Sequence, residues 1–194
     1  MCNKEASHLV SVERAAMIKS GLGADHPDWE GQIASKKEAL LQPGIDWTDF
    51  RAMLPYARKI KLIGGEPTVA TDMFKLLDIA VESGHADHIE LSFYTNITNM
   101  QDRWLNQLAK FEKVIVNCSL EGMGAMNDYL RPPSKWDSVW KHFDKLVKFA
   151  DTKEGKRIKV RVTTVNQLTN ALHTAKFWKF MHDYQMTSNR GIGM

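Results

Sequence analysis

The chain has 194 residues, 43% of them hydrophobic and 25% charged, which suits a soluble globular protein with room for one domain and a real core. A formal charge of +3 is too small to argue for a nucleic-acid partner, and no run approaches the length of a membrane span. Lys4, Glu5 and His8 occupy the start where a signal peptide needs an apolar stretch, and two cysteines, Cys2 and Cys118, are too few for a disulfide framework and favour a reducing cytoplasm.

In chain order, a helix is expected from about Ser11, an N-cap residue, to the stop at Gly21. Asp25-His26-Pro27-Asp28 and Gln42-Pro43-Gly44 bracket a shorter helical segment near 35–41. A helix from Asp46 to about Met53 leads into the first clear strand, 59–63. Helix 71–82 follows, with Gly84 placed to cap its end. Strand 88–94 precedes helix 100–111, which sets Met100, Trp104, Leu108 and Phe111 on one face. Strand 113–119 precedes helix 135–150, opened by a capping box of Ser134 and Asp137. Strand 157–165 precedes helix 171–185. Strands alternating with helices of this length predict βαβ units, a parallel sheet and the α/β class. No repeat, low-complexity tract or linker divides residues 1–194, so a single domain is expected.

The strands themselves alternate in polarity. Ile89, Leu91 and Phe93 interleave with Glu90, Ser92 and Tyr94, and Ile158, Val160 and Val162 interleave with Lys159, Arg161 and Thr163. A doubly wound sheet, buried on both faces, would read as continuous apolar runs. Here one face packs on helices and the other is polar. That pattern predicts an open, partial parallel β/α barrel with helices on the outer face and a polar lumen.

Each strand ends in polar or glycine-rich residues: Gly64-Gly65-Glu66-Pro67, Tyr94-Thr95-Asn96, Ser119-Leu120-Glu121-Gly122 and Thr163-Thr164-Val165-Asn166. In parallel α/β barrels the C-terminal ends of the strands carry the active site, so these tips are expected to surround one ligand. Glycines allow close backbone approach, Pro67 stiffens the exit, and Glu66 can accept hydrogen bonds from an ammonium group. The same residue types also serve as ordinary turn and N-cap residues.

Gly64-Gly65-Glu66-Pro67 resembles the GGEP motif of the radical S-adenosylmethionine (radical SAM) enzymes. Cys118-Ser119-Leu120-Glu121-Gly122, followed by Asn127-Asp128-Tyr129-Leu130-Arg131 and Lys135-Trp136, resembles the family's fourth-strand segment, in which S-x-D-G precedes an N/H-D-x-x-R stretch. Val165-Asn166 with Leu168 resembles the end of the fifth strand in the branch with a twitch accessory domain. Together these cover about residues 59–170. The resemblance implies a TIM-barrel-like core that binds S-adenosylmethionine and a 4Fe-4S cluster and generates a 5′-deoxyadenosyl radical for hydrogen abstraction, with a peptide as one substrate class.

Residue by residue, the resemblance places Gly64, Gly65, Glu66 and Pro67 at the methionine ammonium and Thr95 and Asn96 along the pocket. It places Ser119, Glu121 and Arg131 near the ribose or the methionine carboxylate, with Glu121 standing where the family has aspartate, and Val165 and Asn166 beside the adenine. The family holds its cluster on a C-x-x-x-C-x-x-C loop after the first strand. Met1-Cys2-Asn3-Lys4-Glu5 resembles the residues around the last of those cysteines. Cys2 is therefore the expected metal ligand, in a chain that lacks the upstream strand and the C-terminal accessory region. The implied partners are the small-molecule cofactor, an electron donor and a peptide substrate, with no nucleic acid or membrane. The alternative is a non-catalytic remnant that binds S-adenosylmethionine or a partner without a cluster; an ordinary α/β-barrel enzyme using Gly64-Gly65 for phosphate is a weaker third reading.

Other chemistry-bearing residues have plainer explanations. Strand alternation turns Cys118 away from the Ser119 side, as a buried packing thiol. His85 and His88 fit a solvated loop better than a metal site. Trp104, Trp136, Trp140 and Trp178 fall on helices as core residues, and Lys153-Glu154-Gly155-Lys156-Arg157 reads as a solvated turn.

Overall fold

The computed structural model describes Ser20 and residues 46–63, 65–188 and 192–193. The helices expected at 11–21 and 35–41, together with Cys2 and Gly64, lie outside the described residues. The chain divides into two compact units, Met1–Phe50 and Arg51–Met194. At the end of the first, Asp46 Oδ1 caps helix α1 (Trp47–Met53), accepting from the backbone N–H groups of Thr48 at 2.8 Å and Asp49 at 3.3 Å.

The second unit follows the expected alternation. Its strands are β1 (Lys59–Leu62), β2 (Glu90–Thr95), β3 (Lys113–Ser119), β4 (Ile158–Thr163) and the short β5 (Ile192–Gly193). Its helices are α2 (Thr71–Glu82), α3 (Asp102–Leu108), α4 (Ala125–Leu130), α5 (Trp136–Ala150) and α6 (Ala171–Ser188). The strands form one sheet in the order β1-β2-β3-β4-β5, and every pairing is parallel. Gly84 follows α2 with φ +76, and the next N–H, from His85, reaches back to Ala80 O at 3.2 Å, as a glycine-terminated helix requires.

Register fixes which side chains share a face, because paired residues in a parallel sheet point the same way. Leu91, Phe93 and Thr95 align with Val114, Val116 and Cys118, and these with Ile158, Val160 and Val162. All nine are buried. On that side Phe93 packs against Trp104 of α3, which in turn meets Phe74 of α2 edge to face at 4.9 Å. The opposite side carries Lys61, Tyr94, Lys159 and Arg161, all exposed. The α/β class and the one-sided helical cover therefore match expectation. Strands β2 and β3 depart from strict alternation, since Ser92, Ile115 and Asn117 on the polar side are buried too, beneath the longer exposed side chains of β1 and β4.

Local boundaries differ in instructive ways. Helix 100–111 is shorter, covering only α3, yet Met100 and Phe111 are buried from the flanking turns. Residues 86–88 form a 3-10 turn before β2, which begins at Glu90 instead of residue 88. The capping box at 134–137 does not form. Ser134 donates its hydroxyl to Arg131 O at 2.6 Å, and the Trp136 N–H is taken by Asp128 Oδ1 at 2.6 Å. That carboxylate comes from α4, a six-residue helix too short to show a hydrophobic period. The Trp136 backbone N–H, with smaller help from Asn127 and Lys135, holds the Asp128 carboxyl below its ordinary range.

Candidate functional site

The loop after β1 is built around a carboxylate. Gly65 takes φ +30, a left-handed conformation that glycine adopts without penalty, and nothing crowds the position, so the requirement is conformational. Glu66 then runs extended and caps the 3-10 turn Pro67–Val69. Its Oε1 accepts from Thr68 N at 3.2 Å, from Thr68 Oγ1 at 2.5 Å and from Thr95 Oγ1 at 2.6 Å. Its Oε2 accepts from Asn96 N at 2.6 Å. Glu66 thus ties the first strand tip to the second, and Oε2, with one donor, keeps acceptor capacity.

The end of β2 is held in an unusual shape. Thr95 is buried on the helix face, and its hydroxyl also accepts from Ile97 N at 2.9 Å. Ile97 has φ +57, a strained conformation for a β-branched residue. His142 of α5 anchors it, with Nδ1 at 3.0 Å from Ile97 O, which requires the proton on Nδ1. The bend sends the Asn96 N–H to Glu66 while Asn96 Oδ1 accepts from Arg131 Nη1. The sequence pattern points to no role for His142; a histidine in the middle of an amphipathic helix has no signature of its own.

From Asn96 the network continues to the third and fourth tips. Arg131 pairs bidentately with Glu121, Nε to Oε2 and Nη2 to Oε1. Glu121 is 3% exposed and the Arg131 side chain 23%. Asn170, fully buried, donates Nδ2 to Glu121 O at 3.1 Å and to Val165 O at 2.9 Å, and accepts from Gln167 N at 2.7 Å. Thr164 Oγ1 donates to Leu120 O at 2.8 Å. One hydrogen-bonded chain therefore runs Glu66–Asn96–Arg131–Glu121–Asn170–Val165, through four consecutive strand tips at the C-terminal edge of the sheet.

Of the residues singled out by sequence, Glu66, Thr95, Asn96, Glu121, Arg131 and Val165 meet in that chain, and Asn170 and His142 join it unforeseen. Pro67 is buried beneath the first turn. Ser119 lies on the open side of the sheet, and its hydroxyl makes no hydrogen bond among the described residues. Val165 is 48% exposed, and Asn166 is exposed, with Oδ1 accepting from Thr174 Oγ1 at 3.4 Å. Gly64 and Cys2 lie outside the described residues. Thr95 and most of the Arg131 guanidinium are spent inside the network, a division of labour that pattern alone does not reveal.

Cys118 is the register partner of Thr95, on the helix side away from Ser119, as alternation predicts. Burial first, and then the nearby Glu66 charge, pushes its thiol well above the ordinary range, so it stays protonated and unreactive. His85 and His88 stack edge to face at 5.4 Å around the 3-10 turn. No group of three His, Cys, Asp or Glu side chains among the described residues could hold a metal ion. The described residues therefore do not fit an iron–sulfur cluster. Glu66 Oε2, the Ser119 hydroxyl and Asn96 Nδ2 keep hydrogen-bonding capacity among the described residues.

A cavity of about 320 Å³ opens beside this edge, lined by Met123, Ala125, Met126, Tyr129, His173 and Phe177 from α4, the loop before it and α6. None of its lining residues belongs to the hydrogen-bonded chain. The chain of polar contacts, not the cavity, marks the candidate site, because only the former joins the strand tips.

No family model matches the sequence. Over 89 residues the chain is 35% identical to the serine-type anaerobic sulfatase-maturating enzyme of Klebsiella aerogenes, a match covering 43% of this chain and 22% of that enzyme. Among solved structures, Streptococcus suis SuiB bound to S-adenosylmethionine is 17% identical, with 75% of this chain and 40% of SuiB covered and a TM-score of 0.39. SuiB bound to its precursor peptide SuiA is likewise 17% identical, covering 78% of this chain and 42% of that one, with a TM-score of 0.40. The chain thus spans about a fifth of the curated relative and two fifths of the solved chains. No helix among the described residues is long and apolar enough to cross a membrane.

Proposed function

We propose that this chain is the core of a cytoplasmic radical SAM enzyme that modifies a peptide or protein substrate. The observation that supports it most is the hydrogen-bonded chain through four strand tips, anchored on the Gly65-Glu66-Pro67 loop. The 35% identity to a sulfatase-maturating enzyme over 89 residues supports the same reading.

In this reading the tips bind S-adenosylmethionine. Glu66 Oε2 receives the ammonium, Ser119 and Asn96 meet carboxylate or ribose oxygens, and Val165 and Asn166 flank the adenine. Arg131, fixed by Glu121 and Asn96, contributes positive potential at the rim through its remaining N–H groups. Thr68, Thr95, His142 and Asn170 hold these groups in place before the ligand arrives, so little ordering cost falls on binding. A 4Fe-4S cluster, held by Cys2 with further thiolates, would supply the electron for cleaving a C–S bond of the bound sulfonium. Cys2 is the thiolate that this chain offers to such a cluster in the whole protein.

Titration calorimetry of the chain with S-adenosylmethionine tests the reading. Binding with a 1:1 stoichiometry is expected, weakened at least about tenfold by Glu66→Ala. Anaerobic reconstitution of the whole protein with iron and sulfide, followed by assay for 5′-deoxyadenosine, tests the chemistry. Absence of S-adenosylmethionine binding at millimolar concentration refutes the proposal.

A further inference from the structure

The open side of the sheet carries a charge imbalance that the strand-tip network does not use. Register sets five cations there, Lys59, Lys61, Lys113, Lys159 and Arg161, against one carboxylate, Glu90. Glu90 is already taken, by Lys59 Nζ at 2.8 Å and Lys113 Nζ at 2.5 Å. Two residues nearer the C-terminal edge, Lys61 aligns through Ser92 and Ile115 with Lys159. The next row on that side is Tyr94, Asn117 and Arg161. Lys61, Lys159 and Arg161 are exposed and form no ion pair among the described residues. No carboxylate shares these two rows.

We infer that this face docks an acidic segment of the peptide substrate, its carboxylates meeting Lys61, Lys159 and Arg161. The inference rests on the proposed function for its choice of a peptide, and on charge complementarity for the sign. The Cα atoms of Lys61 and Lys159 are three strand spacings apart, about 14 Å, and that of Arg161 stands about 7 Å further along β4 than that of Lys159. About four residues of extended peptide cover that width, so carboxylates spread along one segment can meet all three cations. A nucleic acid fits less well. Among the described residues the face offers one exposed aromatic ring, Tyr94, where single-strand binders present successive stacking platforms. Arg161 lies two residues before Thr163, which pairs with Ser119 at the tip row, so a docked segment reaches the edge where S-adenosylmethionine is proposed to bind.

The test is fluorescence anisotropy on the intact chain with an end-blocked Glu–Gly repeat peptide, its Gln–Gly counterpart and oligothymidylate, at low and moderate salt. The acidic peptide should bind at least about tenfold tighter than the neutral one and weaken with salt. Lys61→Gln, Lys159→Gln and Arg161→Gln should each weaken it up to about fivefold, as exposed charge pairs do, and the triple variant should lose it. Removing three charges elsewhere, at Lys110, Lys153 and Lys156, should leave it unchanged. Equal binding of the triple variant, an equal effect of the remote charges, or oligothymidylate binding as tightly as the acidic peptide would overturn the inference. Calorimetry with S-adenosylmethionine on the same variants separates the two readings. Acidic-peptide binding that persists where S-adenosylmethionine fails to bind refutes the cofactor site and leaves the docking face standing.

Discussion

Replacing Glu66 with Gln tests whether the first strand tip is held by a carboxylate as such. The side chain keeps its shape and loses one acceptor oxygen. With the amide nitrogen at the Oε2 position, it meets the Asn96 N–H head-on across 2.6 Å. With the nitrogen at the Oε1 position, the hydroxyls of Thr68 and Thr95 can turn to accept, but Thr68 N, 3.2 Å away, loses its partner. The second arrangement costs less. It leaves one backbone donor unpaired and exchanges the remaining charge-assisted bonds for neutral ones, each weaker by up to about 1 kcal/mol. Because Glu66 is only half-buried, water recovers part of the loss, and a net destabilisation of about 2 kcal/mol is expected. For a chain of this length that corresponds to a fall in Tm of about 4–8 °C. Thermal unfolding followed by tryptophan fluorescence measures it, with urea titration checking that the m value is unchanged. A Tm within about 1 °C of the parent would show that the four donors do not depend on the carboxylate, and the network described above would be wrong.

Glu121→Ala and Arg131→Ala should each destabilise by about 3 kcal/mol, the lower end of the range for breaking a buried pair because Arg131 is partly exposed; the double variant should fall short of the sum by at least about 1 kcal/mol, and an additive urea-denaturation cycle would remove the pair from the network. Hydrogen bonds from Lys113 first, and then Lys59, lower the Glu90 carboxyl from 4.5 to about 2. Its contribution to stability is therefore fully present above the unfolded value and is lost as pH falls from about 4.5 through about 2. Carboxyl-detected NMR should place the Glu90 midpoint near 2, rising in Lys113→Met, and a midpoint near 4.5 in the parent would refute the pairing. Gly155→Ala should destabilise by about 1–3 kcal/mol by urea unfolding, since a Cβ there would sit 2.0 Å from Phe149 O and 2.7 Å from Phe149 C, both backbone atoms that cannot swing aside; an unchanged midpoint would show that this turn is not as tight as described.

The sequence by itself determined the α/β class, the strand order and the one-sided polarity of the sheet. Those follow from general rules: period-2 alternation in residues 89–94 and 158–163, helix lengths between strands, and the tendency of consecutive βαβ strands to lie side by side. It also placed Glu66, Asn96, Glu121 and Val165 at strand ends, where a parallel sheet gathers them at one edge. What each side chain does there was decided by tertiary structure. Thr95 and Ser119 both sit at strand tips, yet register turns one into the helix layer and the other to the open face. Glu121 and Arg131 are ten residues apart, and only the path through α4 brings them together and spends most of the guanidinium on an internal partner. Asp128 replaces the expected capping box because the same short helix delivers it to the start of α5. His142 holds Ile97 in its left-handed bend from 45 residues away, and Lys61, Lys159 and Arg161 become one surface only because the parallel register carries β1 and β4 onto the same side of one sheet. In each case the deciding quantity is a distance set by the path of the folded chain, which strand and helix periodicity does not encode.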